Sequence, residues 1–505
     1  MEILQKILDL LQYNPKEPLL FNTGLFLFLF LFLALIYCAL KNKLTARLIF
    51  VTLFSYYFYY KSSGLYFCLL AIVTVSDWII GKRIAQTHEP EETDGGEPQN
   101  GRSRQARLWL ILSIVIDLGL LAFFKYTNFF AGMIAQMIGE NFQPWDIFLP
   151  AGISFFTFKS ISYTVDVYRG KMKPVDSLLD YAFYVSFFPV LLAGPIVRAT
   201  DFIPQIRKPL SISKHMLAFG AYLIVIGLFK KMVISDYISV NFVSRVFDNP
   251  TLFSGGEILM ALYGYSIQLY CDFSGYSDMA IGISALLGFN IPANFNAPYK
   301  ADSLSDFWRR WHISLSSWIR DYIYISLGGN RKGKVRMYMN QMIAMTLCGL
   351  WHGASLNFVL WGTLHGLGVC IHKFFSQTIM HHDRHYHPSG LRRFFSVIIT
   401  FHIVTFLWIF FRSQDFNAAA LLIKQLFTKF DITLFPAIVA AYKFVIALIV
   451  FALITHWLPD TWQEKIIKLF EKGGVVVCAL AITFVIYLAM QVKSSDIQPF
   501  IYLQF

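Results

Sequence analysis

The sequence predicts an all-α, polytopic transmembrane helical bundle, and three observations carry that reading. The 505-residue chain is 56% hydrophobic and only 15% charged, whereas a soluble chain of ordinary composition has about a quarter charged residues. Its apolar residues form long runs without the period-2 alternation of barrel strands, so the spans are helices that satisfy their own backbone groups. Fifty Phe, 26 Tyr and 11 Trp supply aromatic mass of the kind that anchors spans at membrane interfaces.

Along the chain, Ile3, Leu4, Ile7, Leu8 and Leu11 recur at helical spacing and predict an interfacial helix within residues 1–18. No basic region leads into an apolar run with a small-residue cleavage site, so no signal peptide is expected. A span needs about 20 apolar residues. Candidates fall near 19–40, 46–60, 62–81, 108–128, 216–234, 258–287, 338–350, 355–375, 394–411, 437–457 and 473–491, which makes about 11 spans. Two further stretches, 148–167 and 178–196, are interrupted by Lys159 and Asp166 and by Pro189 and Ala193-Gly194-Pro195. Such breaks suit bent or re-entrant segments enclosed by protein rather than by lipid. Residues 87–106 have almost no apolar side chains and are expected to form a flexible cytoplasmic loop. No long linker and no repeat divides the chain, so a single membrane domain over 1–505 is expected.

The formal net charge is +12. The basic residues cluster beside apolar runs, from Lys82 and Arg83 to Arg107, from Arg198 to Lys214, from Arg331 to Arg336 and from Arg384 to Arg393. That pattern suits cytoplasmic loops facing anionic lipid, and no basic polar tract is long enough to build a nucleic-acid groove. Cys38, Cys68, Cys271, Cys348, Cys370 and Cys478 lie in or against apolar runs without a CxxC pair, which indicates packing residues rather than disulfides or thiolate metal ligands.

Ionisable side chains are costly inside a membrane and mark a pathway or a site. Here they concentrate between 266 and 365. Gln268 and Asp272 lie four residues apart, on one helical face, within an apolar run; the alternative to a site role is a helix–helix hydrogen bond. Ser303 and Asp306 resemble a capping box that opens a helix. Beyond it, Arg309, His312, Ser316 and Arg320 share one arc and Trp308, Trp311, Leu315 and Trp318 the next. The pattern predicts an amphipathic helix too charged to span, lying in the interface or lining a cavity. Membrane anchoring explains the aromatic stripe, and headgroup contact is the alternative for Arg309 and Arg310.

His352 follows an apolar run in Leu350-Trp351-His352-Gly353. A buried imidazole can simply donate to a carbonyl, but desolvation also favours the neutral form that a general base needs. A second Trp-His pair at 311–312 strengthens the catalytic reading. No GxSxG elbow offers a serine nucleophile. His381, His382, His385 and His387 are closely spaced but sit in a basic loop ending at Pro388, and no metal site is expected. A base that activates a hydroxyl toward a thioester needs neither metal nor protein nucleophile, so acyl transfer fits these residues.

Several motifs resemble signatures of the membrane-bound O-acyltransferases. They are Tyr270 through Gly282, Asn294-Phe295-Asn296-Ala297-Pro298-Tyr299, Phe307 through Asp321, Leu327-Gly328-Gly329-Asn330-Arg331 and Gly349 through Ala354. Upstream, Gly152 through Phe158, Phe187-Phe188-Pro189 and Ala193 through Ile196 are also similar, so the specific motifs span 150–366. The branch most similar is the one that supplies acetyl groups for alginate and peptidoglycan O-acetylation in bacteria. The resemblance implies a helical bundle around a polar tunnel in the bacterial inner membrane. It places His352 at the principal catalytic position and His312 at the second, where some relatives carry Asn. Gln268, Asp272, Arg309, Arg310, Ser316, Asn330 and Trp351 are the expected substrate or tunnel residues. The resemblance further implies acetyl-CoA as the donor, no permanently bound cofactor, and a separate periplasmic SGNH-type transferase that passes acetyl to a polysaccharide acceptor. Lys159 stands where a neutral amide is expected. D-alanyl transfer or lysolipid acylation stays open within the family. A transporter would also use buried Asp, Arg and His, but should show inverted repeats, and none is visible.

Overall fold

The computed structural model describes residues 2–87, 103–381, 383, 386–492 and 500–501. Among these residues the regular structure is helical throughout, with no strand. Among the described residues six helices are long and apolar enough to cross a membrane, or seven if the bent pair Ile432–Ala441 and Lys443–His456 counts as one span. This is fewer than the apolar runs suggested. Helices such as Gly255–Leu286 carry acids that pair within the protein, Asp272 with Lys231 and Asp278 with Lys230, and are too polar to face lipid along their whole length. The chain divides into two compact units.

The first unit comprises residues 1–212 and 284–291. It holds α1 (Glu2–Leu11), α2 (Gly24–Ala39), α3 (Leu44–Ser63), α4 (Phe67–Gln86), α5 (Arg104–Met137), α6 (Ile153–Tyr168), α7 (Leu178–Ser186) and α8 (Ala199–Ile206). α1 is the helix expected at the start of the chain. The buried Lys61 ammonium ties it down by donating to the carbonyls of Leu10, at 2.9 Å, and Gln12, two groups that the end of a helix leaves without intrahelical partners. The interrupted stretches around 150–196 are buried by protein, as their breaks predicted. α6 begins at Gly152, where φ is +73° and an added Cβ would stand 2.6 Å from the Leu191 carbonyl oxygen; only glycine meets both demands. Lys159 is fully buried in α6 and donates to the Val185 carbonyl at 3.1 Å, so it ties α6 to α7. The Ser113 hydroxyl of α5 donates to Asp77 of α4 at 2.7 Å, a polar link inside otherwise apolar packing. Of the predicted flexible loop, residues 88–102 lie outside the described residues.

The second unit comprises residues 213–283 and 292–505. Its helices are α9 (Lys214–Asp248), α10 (Gly255–Leu286), α11 (Leu304–Arg310), α12 (Ile313–Ile319), α13 (Lys334–His352), α14 (Leu356–Phe374), α15 (Gly390–Arg412), α16 (Phe416–Thr428), α17 (Phe435–Ala441), α18 (Lys443–His456) and α19 (Asp460–Val492). α9 widens into π-helix at Phe229–Ser235 and again at Ser239–Val243, a device frequent at functional sites. α13 and α14 form a tight antiparallel hairpin. Gly349 of α13 meets Gly362 of α14 so closely that a Cβ on Gly349 would lie 2.9 Å from the Gly362 Cα and collide with the Phe358 carbonyl. Small residues of this kind let membrane helices pack backbone to backbone, and this pair fixes the end of α13 that carries His352.

Gly349→Ala is therefore expected to destabilise the detergent-solubilised protein by about 1–3 kcal/mol through overpacking. Gly119→Ala is the control, since its Cβ would meet nothing within 4 Å. Melting curves should show a lower midpoint for the first variant alone; equal midpoints would contradict the close approach.

Candidate active site

The site is assembled in the second unit around a break in what the sequence read as one amphipathic helix. The Ser303 hydroxyl accepts from the Asp306 N–H at 3.2 Å and opens α11, as the predicted cap required. Asp306 then pairs with Arg310 one turn on, at 2.7 Å. The helix stops at Trp311. His312 adopts left-handed backbone angles, φ +44° and ψ +56°, and α12 starts after it. The arc inferred for Arg309, His312, Ser316 and Arg320 therefore does not exist as one continuous helical face. A non-glycine residue in this region costs free energy and persists only where its surroundings fix it.

Asn294 fixes it. Its side-chain oxygen stands 3.2 Å from His312 Nδ1, and it accepts from the Ser314 hydroxyl at 2.9 Å and the Ser314 N–H at 3.3 Å. The Asn294 carbonyl accepts from the Ile313 N–H, and its amide group donates to the Ser277 hydroxyl at 3.2 Å. The amide is thus oriented from both ends, and an oxygen facing Nδ1 assigns the proton to Nδ1 and the lone pair to Nε2. His312 is fully buried, and burial pushes its imidazole down to about 3, so it is neutral at pH 7.

His352 ends α13 and is 2% exposed. Its ring packs against Trp351, Trp361 and Phe411, with centroids 4.9, 5.1 and 5.4 Å away. Trp351 also lies 6.1 Å from His312, so one indole stands beside both imidazoles. Forty residues of chain separate the two Trp-His pairs, and the fold brings them together. The Trp308 indole donates to His365 Nδ1 at 3.2 Å, which braces α11 on α14. His365 has no signature in the sequence, because a lone histidine in an apolar helix carries no local signal.

A cavity of about 370 Å³ opens beside these residues. Arg309, Arg320 and Lys373 line it together with Ser305, Ser316 and Ser317, and no carboxylate does. Its wall also includes Ile313, adjacent to His312, and Cys348, which lies one turn, about 6 Å along the axis, before His352. Neither histidine is itself a lining residue. Arg309 and Ser316, both expected at a tunnel, are in this wall.

The remaining expected site residues lie elsewhere. Arg310 pairs with Asp306 and donates to the Asn296 carbonyl at 3.3 Å, which holds the loop before α11. Asn330 is exposed. Gln268 of α10 has a buried side-chain oxygen and, through its backbone carbonyl, accepts from Ser235. Asp272, 3% exposed, meets the Lys231 ammonium at 2.7 Å, and Lys231 also meets Asp236 at 2.8 Å. Lys230 pairs with Asp278 at 2.7 Å. Half of this buried charge cluster is legible in the sequence: Asp272 interrupts an apolar run, while Lys230 and Lys231 read as the end of an apolar span. Matching each intramembrane acid to a base would have found them. His387, in the basic loop, lies 2.7 Å from Asp302, while His382 and His385 lie outside the described residues.

Residues 112–411 match the profile of the membrane-bound O-acyltransferase (MBOAT) family. A peptidoglycan O-acetyltransferase of Helicobacter pylori is 36% identical over 437 residues, which cover 80% of this chain and 79% of that one. A probable alginate O-acetylase, AlgI, of Pseudomonas aeruginosa is 38% identical over 414 residues, covering 81% and 74%. A teichoic acid D-alanyltransferase of Bacillus subtilis is 30% identical over 278 residues, covering 53% and 69%.

The geometry around Asn294 has a direct consequence. Asn294→Leu removes the acceptor for three buried donors, each of which then loses about 1–3 kcal/mol of compensation, while Asn294→Asp keeps an acceptor oxygen. The Leu variant should melt at a markedly lower temperature than the Asp variant. Equal melting of the two would show that the amide does not hold the break at His312.

Proposed function

Because the chain belongs to the membrane-bound O-acyltransferase family, we propose that it takes acetyl groups from cytosolic acetyl-CoA and delivers them across the bacterial inner membrane for O-acetylation of an exported polysaccharide or peptidoglycan. That it is a multi-pass membrane acyltransferase follows from the family itself. The observation that carries the finer reading is the cavity. It gathers Arg309, Arg320 and Lys373, of which Arg320 is paired with Asp321 at 2.7 Å, in a wall that also contains Ile313, next to His312, and Cys348, one turn before His352. Arg309, Arg320 and Lys373 suit the phosphates of a coenzyme A thioester, because charge-assisted contacts to phosphate are the stronger class of hydrogen bond.

In the proposed reaction His352 takes the proton from the acceptor hydroxyl as its oxygen attacks the thioester carbonyl. The C–S bond then breaks, and the proton returns to the departing thiolate to give the free thiol. Base assistance of this kind contributes about 10²–10⁴-fold. With its Nδ1 proton engaged by Asn294, neutral His312 offers a lone pair at Nε2. It therefore suits orienting the acceptor hydroxyl better than polarising the carbonyl, for which a donor is needed. Asp272 holds α9 and α10 together through Lys231. A periplasmic SGNH-type partner would receive the acetyl group. The acetylating relatives share about four fifths of this chain and the D-alanyltransferase about half, which favours acetyl over D-alanyl.

Vesicles carrying the His352→Ala chain should lose transfer of label from acetyl-CoA by at least about 10²-fold while the protein stays inserted. Arg309→Ala and Lys373→Ala should instead raise the KM for acetyl-CoA with little change in kcat. Full activity without His352, or transfer only from a carrier-protein thioester, would overturn the assignment.

A further inference from the structure

Beyond the last helix, Phe500 and Ile501 return to the middle of α10. The Ile501 N–H donates to Asp272 Oδ2 at 2.9 Å, and both residues are buried. The Phe500 ring stacks on Tyr276 with centroids 4.5 Å apart and an interplanar angle of 23°, and it also packs on Phe273 at 5.7 Å. Phe273 in turn presents itself edge-to-face to His312 at 4.6 Å. Asp272, Phe273 and Tyr276 occupy neighbouring positions on one side of α10, and the two returning residues cover that side.

Each contact has a physical task. Asp272 is an acid in apolar surroundings beside the Lys231 ammonium, and a buried carboxylate needs hydrogen bonds on its remaining lone pairs. The Ile501 N–H supplies one. Phe273, edge-on to His312, is held between its neighbours Phe295, at 5.0 Å, and Phe500, at 5.7 Å, and Phe500 is the neighbour that the end of the chain supplies. Without that ring the surroundings would relax only in part and leave a void, beside an imidazole whose lone pair is assigned to the acceptor.

We propose that Phe500 and Ile501 are positioning residues of the acyl-transfer site, which hold Phe273 and Asp272 so that the acceptor hydroxyl, and not water, meets the thioester next to His312. The inference rests on the acetyl-transfer reading above. Water in the acceptor's place would attack the same carbonyl, break the same C–S bond and release acetic acid and free thiol, so faulty positioning appears as hydrolysis gained at the expense of transfer.

The test uses membrane vesicles from cells expressing the full chain with their native acceptors, supplied with acetyl-labelled acetyl-CoA. Label in base-labile polymer ester and label released as acetate are counted together. Phe500→Ala should lower ester formation on the order of 10-fold or more, the scale of a misplaced reactant, and raise the ratio of acetate to ester. Phe500→Leu, which restores part of the apolar volume, should recover much of the wild-type ratio. Ile501→Pro, which deletes the N–H donor, should lower ester formation more than Ile501→Ala. An unchanged acetate-to-ester ratio in Phe500→Ala, or equal loss in the two Ile501 variants, would overturn the positioning role while wild-type transfer upholds the enzyme assignment. Wild-type vesicles that transfer no more label than His352→Ala vesicles would overturn that assignment, and this inference with it.

Discussion

The hydrogen bond between Asn294 and His312 organises the second unit's chemistry, because it holds in place a backbone conformation that would otherwise relax. A chain that turns through left-handed space at a histidine needs continuous restraint, and one amide oxygen provides it by facing three donors. The break separates two short helices. It turns His312 toward Trp351 and Phe273 while Arg309 and Ser316, on either side of the break, face the cavity. A continuous helix could not serve both directions in the same way, since its side chains rotate in fixed steps.

The same logic, polar groups satisfied internally within apolar surroundings, explains the rest of the unit. Lys231 with Asp272 and Asp236, and Lys230 with Asp278, bring cations and acids together where neither sign alone would be tolerated. They sit where α9 widens into π-helix. On the other side, the glycine pair of α13 and α14 lets two backbones meet and delivers His352 into a socket of aromatic rings. The socket holds the imidazole against three rings and leaves it 2% exposed, which fixes its orientation.

Much of this was legible in the sequence. Long apolar runs and scarce charge determine a helical membrane protein, and the Ser303 cap, the initial helix and the buried interrupted stretches all have local signals. Motif order exposed the family. What stayed hidden is non-local. Nothing in residues 303–321 announces a break at His312, because its cause, Asn294, lies before that helix begins. Asp272 was conspicuous, but its partner Lys231 sits in another helix at the margin of an apolar run. Asn330 and Arg310 matched family motifs, yet the first is exposed and the second holds a loop, since a motif marks residues without saying whether they shape the backbone or meet substrate.

The central claim is that a thioester enters along the cationic cavity and presents its carbonyl between His312 and His352. A cryo-electron microscopy structure of the full chain with a non-hydrolysable thioether analogue of acetyl-CoA tests it most directly. The account predicts density for the phosphates beside Arg309 and Lys373 and for the acyl end next to His352. An analogue bound on another face, or a wall of protein between its acyl end and both histidines, would contradict it.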